Sequence, residues 1–274
     1  MMERMNPFTY IILCTAVVSG LASCTFTSQR REPGPDNIPG AVPIEVTALM
    51  RAYPDCVKGF KGGCILMRNR KKIPFERELQ DTSFLNRLDS ASVRDMFAEV
   101  YPLGRLKKPE YLSDPGRFRD DAFFKAMYGD SLARVSSRLT RVDVFGTSVR
   151  FTTVNGAADS LRAVLREVEK HPGLKRYFKA PTSFNWRPVR GTERLSAHSY
   201  GIALDIGVPY SDYWRWSNPG KGELDELDYH NRFPARLIRI FERHGFISGA
   251  RWYHYDTMHF EFRPELIEYA RMSR

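Results

Sequence analysis

The chain predicts an α+β fold, a small and mostly antiparallel sheet flanked by helices. Ile202, Leu204 and Ile206 alternate with Ala203, Asp205 and Gly207, and Met258, Phe260 and Phe262 alternate with His259, Glu261 and Arg263. That period of two marks strands with one apolar face. Val142, Val144, Val149 and Phe151, split by Gly146, read as two more strands joined by a turn. Elsewhere apolar residues recur every three to four positions, the spacing of helices with one buried stripe. Such elements pack in layers around one core, and a hydrophobic content of 42% over 274 residues is enough to fill it.

In chain order, residues 8–22 form an apolar run ending in Leu21-Ala22-Ser23-Cys24. The run is long enough for a signal-peptide core and short for a membrane span, and the tetrapeptide resembles the bacterial lipobox, cut before a cysteine that is then acylated. Between Arg30 and Pro43 the density of Pro and Gly among polar residues predicts an extended tether. Cys56 and Cys64 flank a Gly-rich segment, and outside the cytoplasm they are expected to pair. Asp89 or Ser90 is expected to cap a helix through Val93, Met96, Phe97, Val100 and Tyr101. Asp120 or Asp121 opens another through Phe123, Phe124, Met127 and Tyr128, stopped by Gly129. Ala157, Leu161, Val164, Leu165 and Val168 form a helical stripe, and Pro234 opens a last one through Leu237, Ile238, Ile240 and Phe241. Residues 210–231, rich in aromatic and charged side chains, border the cleft or lie on the surface.

The formal charge is +10, and Glu3 and Arg4, the only charged residues in 1–23, cancel. This favours anionic partners. The basic residues are scattered and no nucleic-acid motif is present, so the reading is no nucleic acid, and an anionic surface such as a bacterial wall or membrane.

The chemistry lies in two separated motifs. His198 and Asp205 stand seven positions apart, and about fifty residues later Asp256 and His259 stand three apart. Hydrolytic zinc takes three nitrogen or oxygen side chains and leaves the fourth position to a water whose pKa it lowers to about 7. His198, Asp205 and His259 are therefore read as ligands of one zinc ion per chain. Asp256 is left to take the water's proton. Gly201 lets the chain turn between His198 and the strand bearing Asp205.

At these residues the sequence resembles the zinc D-alanyl-D-alanine carboxypeptidases and dipeptidases of the VanY and VanX type, a family that includes L-alanyl-D-glutamate endopeptidases of phage lysins. Its pattern of Ser-x-His, six residues, Asp, then Glu or Asp-x-x-His is met by Ser196, His198, Asp205, Asp256 and His259. The resemblance runs from about Leu139 to Leu266. It implies zinc on the two histidines and Asp205, with Asp256 as general base where many members carry the longer glutamate. It further implies a substrate-holding arginine, matched by Arg187 in Phe184-Asn185-Trp186-Arg187-Pro188, and a substrate contact for Ser196. The implied reaction is D,D-carboxypeptidase-like hydrolysis of peptide bonds involving D-amino acids in peptidoglycan stem peptides. L-alanyl-D-glutamate endopeptidase action and a non-catalytic wall-binding lipoprotein are the alternatives.

Arg190, Arg194 and Arg251 compete with Arg187 as substrate-binding cations. His254 competes as a ligand, although a strand would turn it away from His259, and it is also a candidate hydrogen-bond donor to the transition state. Glu261, on the same strand face as His259, is a candidate for orienting a ligand imidazole. The chain thus divides into a lipoprotein signal peptide (1–23), a flexible tether (24–45), an N-terminal helical region packed on the catalytic domain (46–138) and a zinc peptidase domain (139–274). The expected protein is an exported monomer, held in a bacterial cell envelope by a lipid on Cys24.

Overall fold

A computed structural model describes residues 41–78, 81–189 and 192–274. The expected signal peptide, Cys24 and most of the tether lie outside the described residues. Residues 44 and 45, read as the tether's end, instead open helix α1 (Ile44–Ala52), which buries Val46, Ala48 and Leu49. An unanticipated antiparallel meander follows, β1 (Val57–Lys61), β2 (Cys64–Met67) and β3 (Lys72–Pro74). It corrects the expected disulfide. Cys64 pairs opposite Lys61 at the turn, whereas Cys56 precedes Val57, whose partner is Met67 at the other end of the hairpin. At about 3.3 Å per strand residue the two lie beyond the roughly 7 Å Cα separation a bridge tolerates, and among the described residues both thiols are free.

Helix α2 (Phe84–Ser90) is capped by the Ser83 side chain. The helix expected over 93–101 shrinks to one 3₁₀ turn, Arg94–Phe97. Val93, Met96, Phe97 and Tyr101 are buried all the same, so the spacing identified the core and misidentified the backbone. Tyr101 bonds Glu242 at 3.0 Å and accepts the Ser248 N–H at 2.9 Å, contacts that anchor the chain outside a helical path.

The expected helix α3 (Asp121–Tyr128) is capped by Asp120, which accepts the Phe123 N–H at 2.7 Å, and is stopped by Gly129 at φ 124°. After α4 (Leu132–Ser136), β4 (Leu139–Val144) and β5 (Thr147–Thr152) form the expected hairpin. Its turn residues Phe145 and Gly146 both have positive φ, as a two-residue hairpin turn requires. Helix α5 (Ala157–Glu169) buries the predicted stripe.

The sheet that carries the site has the antiparallel order β6-β8-β7, with β6 at Ala203–Asp205, β7 at Phe246–Ser248 and β8 at His259–Phe262. A short α6 (Trp214–Ser217) precedes α7 (Ala235–Arg243), which packs on β7 and α5. Helix α8 (Pro264–Met272), which packs on α1, was not anticipated. Together these elements bear out the α+β expectation.

β8 is the central strand, and both of its faces are buried. Phe260 and Phe262 enter the core, where Phe260 stacks on Phe241 at 3.8 Å. The opposite face is a closed ladder of charge. Glu261 lies 3.1 Å from Arg263 and 3.4 Å from Arg119, Arg263 pairs with Glu265, and Glu265 accepts the Tyr53 hydroxyl. Buried charges are tolerated when each is paired and hydrogen-bonded. Two of these partners, Tyr53 and Arg119, come from the first half of the chain. Among the described residues no helix is long and apolar enough to cross a membrane.

Gly207 sits at φ 61°, where a Cβ would lie 2.4 Å from the Tyr177 carbonyl oxygen. Gly207→Ala is expected to cost about 1–3 kcal/mol by overpacking and strain, read by chemical denaturation. A change below about 0.5 kcal/mol, as for an ordinary surface substitution, would contradict that close approach.

Candidate metal centre

Sheet register assembles the centre. β6 and β8 pair so that Asp205 lies directly opposite His259, and side chains of such a pair touch. Asp205 Oδ1 is 2.9 Å from His259 Nδ1. His198 arrives on the 3₁₀ turn Ala197–Tyr200, where Ser196 Oγ accepts the His198 N–H at 3.4 Å and Gly201 closes the turn at φ 66°. A Cβ on Gly201 would stand 2.6 Å from Leu139 Cδ2 and 3.3 Å from the Thr152 nitrogen, so a side chain there would push the turn off the β4–β5 hairpin.

The two imidazoles are held by opposite nitrogens. His198 Nδ1 donates to the Ser183 carbonyl at 2.7 Å. A carbonyl can only accept, so Nδ1 carries a proton, and Nε2, 3.2 Å from Asp205 Oδ2, is the nitrogen left for the centre. His259 Nε2 faces Glu261 Oε2 at 3.4 Å, leaving Nδ1 for the centre. Once the His259 ring is neutral, lone pairs of three groups converge, their ligand atoms all within 4.8 Å of one another. Convergent lone pairs repel unless a cation stands among them, and nitrogen–oxygen donors of this kind suit zinc. The set fits a metal ion.

Asp256 completes the arrangement. Its N–H donates to the Gly249 carbonyl at 3.1 Å, and its own carbonyl accepts the His259 N–H at 3.0 Å. A Cβ on Gly249 would lie 2.3 Å from the Asp256 carbonyl oxygen, so glycine there admits the turn. Asp256 Oδ1 is buried and has no hydrogen-bond partner among the described residues. Burial, then the negative Asp205, push its pKa up to about 7. Burial opposes the charge on Asp205 too, but the adjoining His198 and His259 outweigh it and hold Asp205 well below the usual carboxylate range. At His259 burial favours the neutral ring, and hydrogen bonds to Asp205 and Glu261 overcome it, lifting the ring to about 10. Glu261, although buried, is kept well below its ordinary value by Arg119, His259 and Arg263.

The cleft above the centre is walled on one side by Tyr213, Trp214, Arg215 and Glu223, so residues 210–231 do border it, while Trp216 and Leu224 face outward. Ser196 lines the cleft. Arg187 lines its exposed rim, with its backbone held through N–H and C=O by Ser199 Oγ at 2.8 and 2.7 Å. Two competing expectations are corrected. His254 has both ring nitrogens engaged, Nδ1 with Asp114 at 2.5 Å and Nε2 with the Glu223 carbonyl at 2.9 Å, so it is neither ligand nor free donor. Arg251 is buried against Glu242 at 2.6 Å and the Gly104 carbonyl at 2.9 Å, away from the cleft. Arg190 lies outside the described residues. Sequence reading missed Ser183, which orients His198 by a main-chain oxygen that carries no side-chain signal. It also missed Arg117 and Arg119, whose only signal is their alternation about Phe118.

A family model described as D-alanyl-D-alanine carboxypeptidase matches residues 190–262, the stretch that holds Ser196, His198, Asp205, Asp256 and His259. The resemblance drawn from those residues is thereby supported over that stretch. No curated protein and no solved structure matches the chain.

Glu261→Gln weakens the partner that turns His259 Nδ1 inward and is expected to lower metal affinity about 10–100-fold, read by competition with a chromogenic chelator. With His259 lifted to about 10, the metal-free ring is charged at pH 7 and must lose its proton to bind. Metal uptake at pH 7 should therefore release about one proton, and affinity should rise with pH. Calorimetry in buffers of different ionisation enthalpy measures this, and a release near zero would contradict the assignment.

Proposed function

We propose, supported by the match of residues 190–262 to a family model described as D-alanyl-D-alanine carboxypeptidase, that this chain is a zinc metallopeptidase hydrolysing bonds of D-amino acids in peptidoglycan stem peptides. The observation that carries this reading is the buried, unpartnered Oδ1 of Asp256 in the same cleft as three convergent ligand atoms. His198 through Nε2, His259 through Nδ1 and Asp205 through its carboxylate would hold the ion. Bound zinc would supply Lewis acidity and lower the pKa of a coordinated water.

Asp256 is the proton carrier. A base works best with a pKa near the working pH, and burial beside Asp205 gives Asp256 a value of about 7. A bound cation would draw it lower and keep it ionised at neutral pH. It would accept the water's proton at Oδ1 and return it to the leaving amine. Arg187 would pair with a substrate carboxylate, which its planar fork matches bidentately. Ser196 Oγ accepts the His198 N–H, leaving its own proton for the substrate.

The envelope location is part of the same proposal. Its support is the apolar run over 8–22 followed by Leu21-Ala22-Ser23-Cys24, which would hold an exported, monomeric enzyme at a membrane by a lipid on Cys24. Incorporation of labelled fatty acid into the full chain and its loss in Cys24→Ala would test that.

Mass spectrometry of muropeptides incubated with the zinc-loaded protein tests the reaction. Loss of one terminal alanine marks carboxypeptidase action, and cleavage beside L-alanine marks the endopeptidase. No cleavage with zinc bound would leave the non-catalytic wall-binding reading. Asp256→Asn is expected to retain zinc while kcat falls by about 10²–10⁴. Activity of the unaltered chain should decline as pH drops and Asp256 protonates, along an acid limb at or below about pH 7. That limb should be missing from the residual activity of Asp256→Asn.

A further inference from the structure

One buried guanidinium in the cleft has no counter-ion among the described residues, whereas the other unpaired one, Arg187, stands on the exposed rim. Arg117 is paired with Asp114 at 2.7 Å and Glu223 at 3.1 Å, and Arg119 reaches Glu261 at 3.4 Å. Arg194, 9% exposed and lining the same cleft as His198, Asp256 and His259, has no carboxylate within ion-pair distance among the described residues. Its Nη1 donates to the Arg117 carbonyl at 2.8 Å. Its Nε is buried without a partner, and its Nη2 makes no hydrogen bond among the described residues. Burial, then the positive Arg119 and Arg117, pull its pKa down to about 9, as befits a cation its surroundings do not solvate.

A buried unpaired cation costs stability, and a chain can keep such a cost where a ligand relieves it. The geometry names the ligand. A planar carboxylate can take a guanidinium bidentately at its side-on Nε/Nη2 edge or its end-on Nη1/Nη2 edge, and here Nη1 is already committed to the Arg117 carbonyl, which leaves the side-on edge. That edge has no protein partner among the described residues, its Nε being buried and its Nη2 the more accessible end, and it is separate from Arg187 on the exposed rim.

We propose that Arg194 is a specificity-determining residue whose Nε/Nη2 edge binds a substrate carboxylate additional to the one met by Arg187, so that the preferred substrate is a peptide with two carboxylates near the scissile bond. This rests on the peptidase reading above. In a stem peptide the extra carboxylate has two sources, the C-terminus of the leaving residue or the α-carboxylate of a γ-linked D-glutamyl residue.

The test uses the zinc-loaded full chain, with zinc content measured, on a stem pentapeptide carrying both groups and on versions amidated at one or the other. One amidation is expected to lower kcat/KM on the order of 100-fold, mainly through KM, and by less than about threefold in Arg194→Gln. Arg187→Gln should stay sensitive to that same amide, and the sensitive arm identifies the source. Arg194→Lys, which keeps the charge and loses the planar edge, should fall between. Because Arg194→Gln removes an unpaired buried charge, its thermal midpoint should equal or exceed that of the unaltered chain.

Indifference of the unaltered chain to both amides overturns the proposal, and so does full discrimination in Arg194→Gln. Calorimetric binding of the same peptides to Asp256→Asn, with and without Arg194→Gln, reads the subsite independently of turnover. If no peptide is cleaved but the amide still weakens binding only when Arg194 is present, the hydrolase reading falls and the subsite stands.

Discussion

The pairing of β6 with β8 is the constraint on which the centre depends. With Asp205 opposite His259, a carboxylate and an imidazole more than fifty residues apart in sequence become cross-strand neighbours. A slip of one residue would send every side chain of the moved strand to the other face. Asp205 would then enter the apolar layer, and Leu204 or Ile206 would face the cleft. The register is fixed by the other side of the sheet. Leu204 and Phe260 are paired across the strands and fully buried, and Phe260 stacks on Phe241 of α7. Apolar packing on one face thus sets the geometry of polar chemistry on the other.

That polar face is itself enclosed, which changes what its charges do. Glu261 is shared among His259, Arg119 and Arg263, and Arg263 is shared between Glu261 and Glu265. Ion pairs taken out of water gain little net stability, but breaking one leaves an uncompensated charge. The ladder therefore acts as a positional lock. It fixes the tautomer of His259 at one end and ties Tyr53, at the end of α1, to the last strand at the other. The same enclosure raises Asp256 to about 7 while nearby carboxylates are pulled down. Asp256 has no cation within hydrogen-bonding distance, and the others do.

Much of this was legible in the sequence where local periodicity and function coincide. The alternation at 202–207 and 258–263 gave both strands and the cleft-facing side of Asp205 and His259, and Asp120 with Gly129 marked α3 at both ends. Periodicity failed where burial was achieved without regular backbone. Val93, Met96, Phe97 and Tyr101 are core residues on a mostly irregular segment, because Tyr101 is held by Glu242 and Ser248 from elements about 140 residues away. Helix α8 carried a signal that was passed over, Pro264 at its first turn with Leu266, Ile267 and Ala270 on one stripe. The roles of His254 and Glu261 could not be separated from their positions alone. His254 turns on Asp114, 140 residues upstream, and Glu261 on Arg119, 142 upstream.

By itself the sequence determined which residue types could form a metal centre and which strands would carry them, because spacing of two and of three to four residues translates directly into faces. Tertiary structure alone decided which nitrogen of each histidine turns inward, which carboxylate is left without a partner, and which arginines are neutralised. Those outcomes depend on the Ser183 carbonyl, on Glu261, on Asp114 and on Glu223, groups brought near the centre by folding at distances no local pattern encodes. Charge state and hydrogen-bond direction follow from the sum of all neighbours, and the neighbours exist only once the chain has closed on itself.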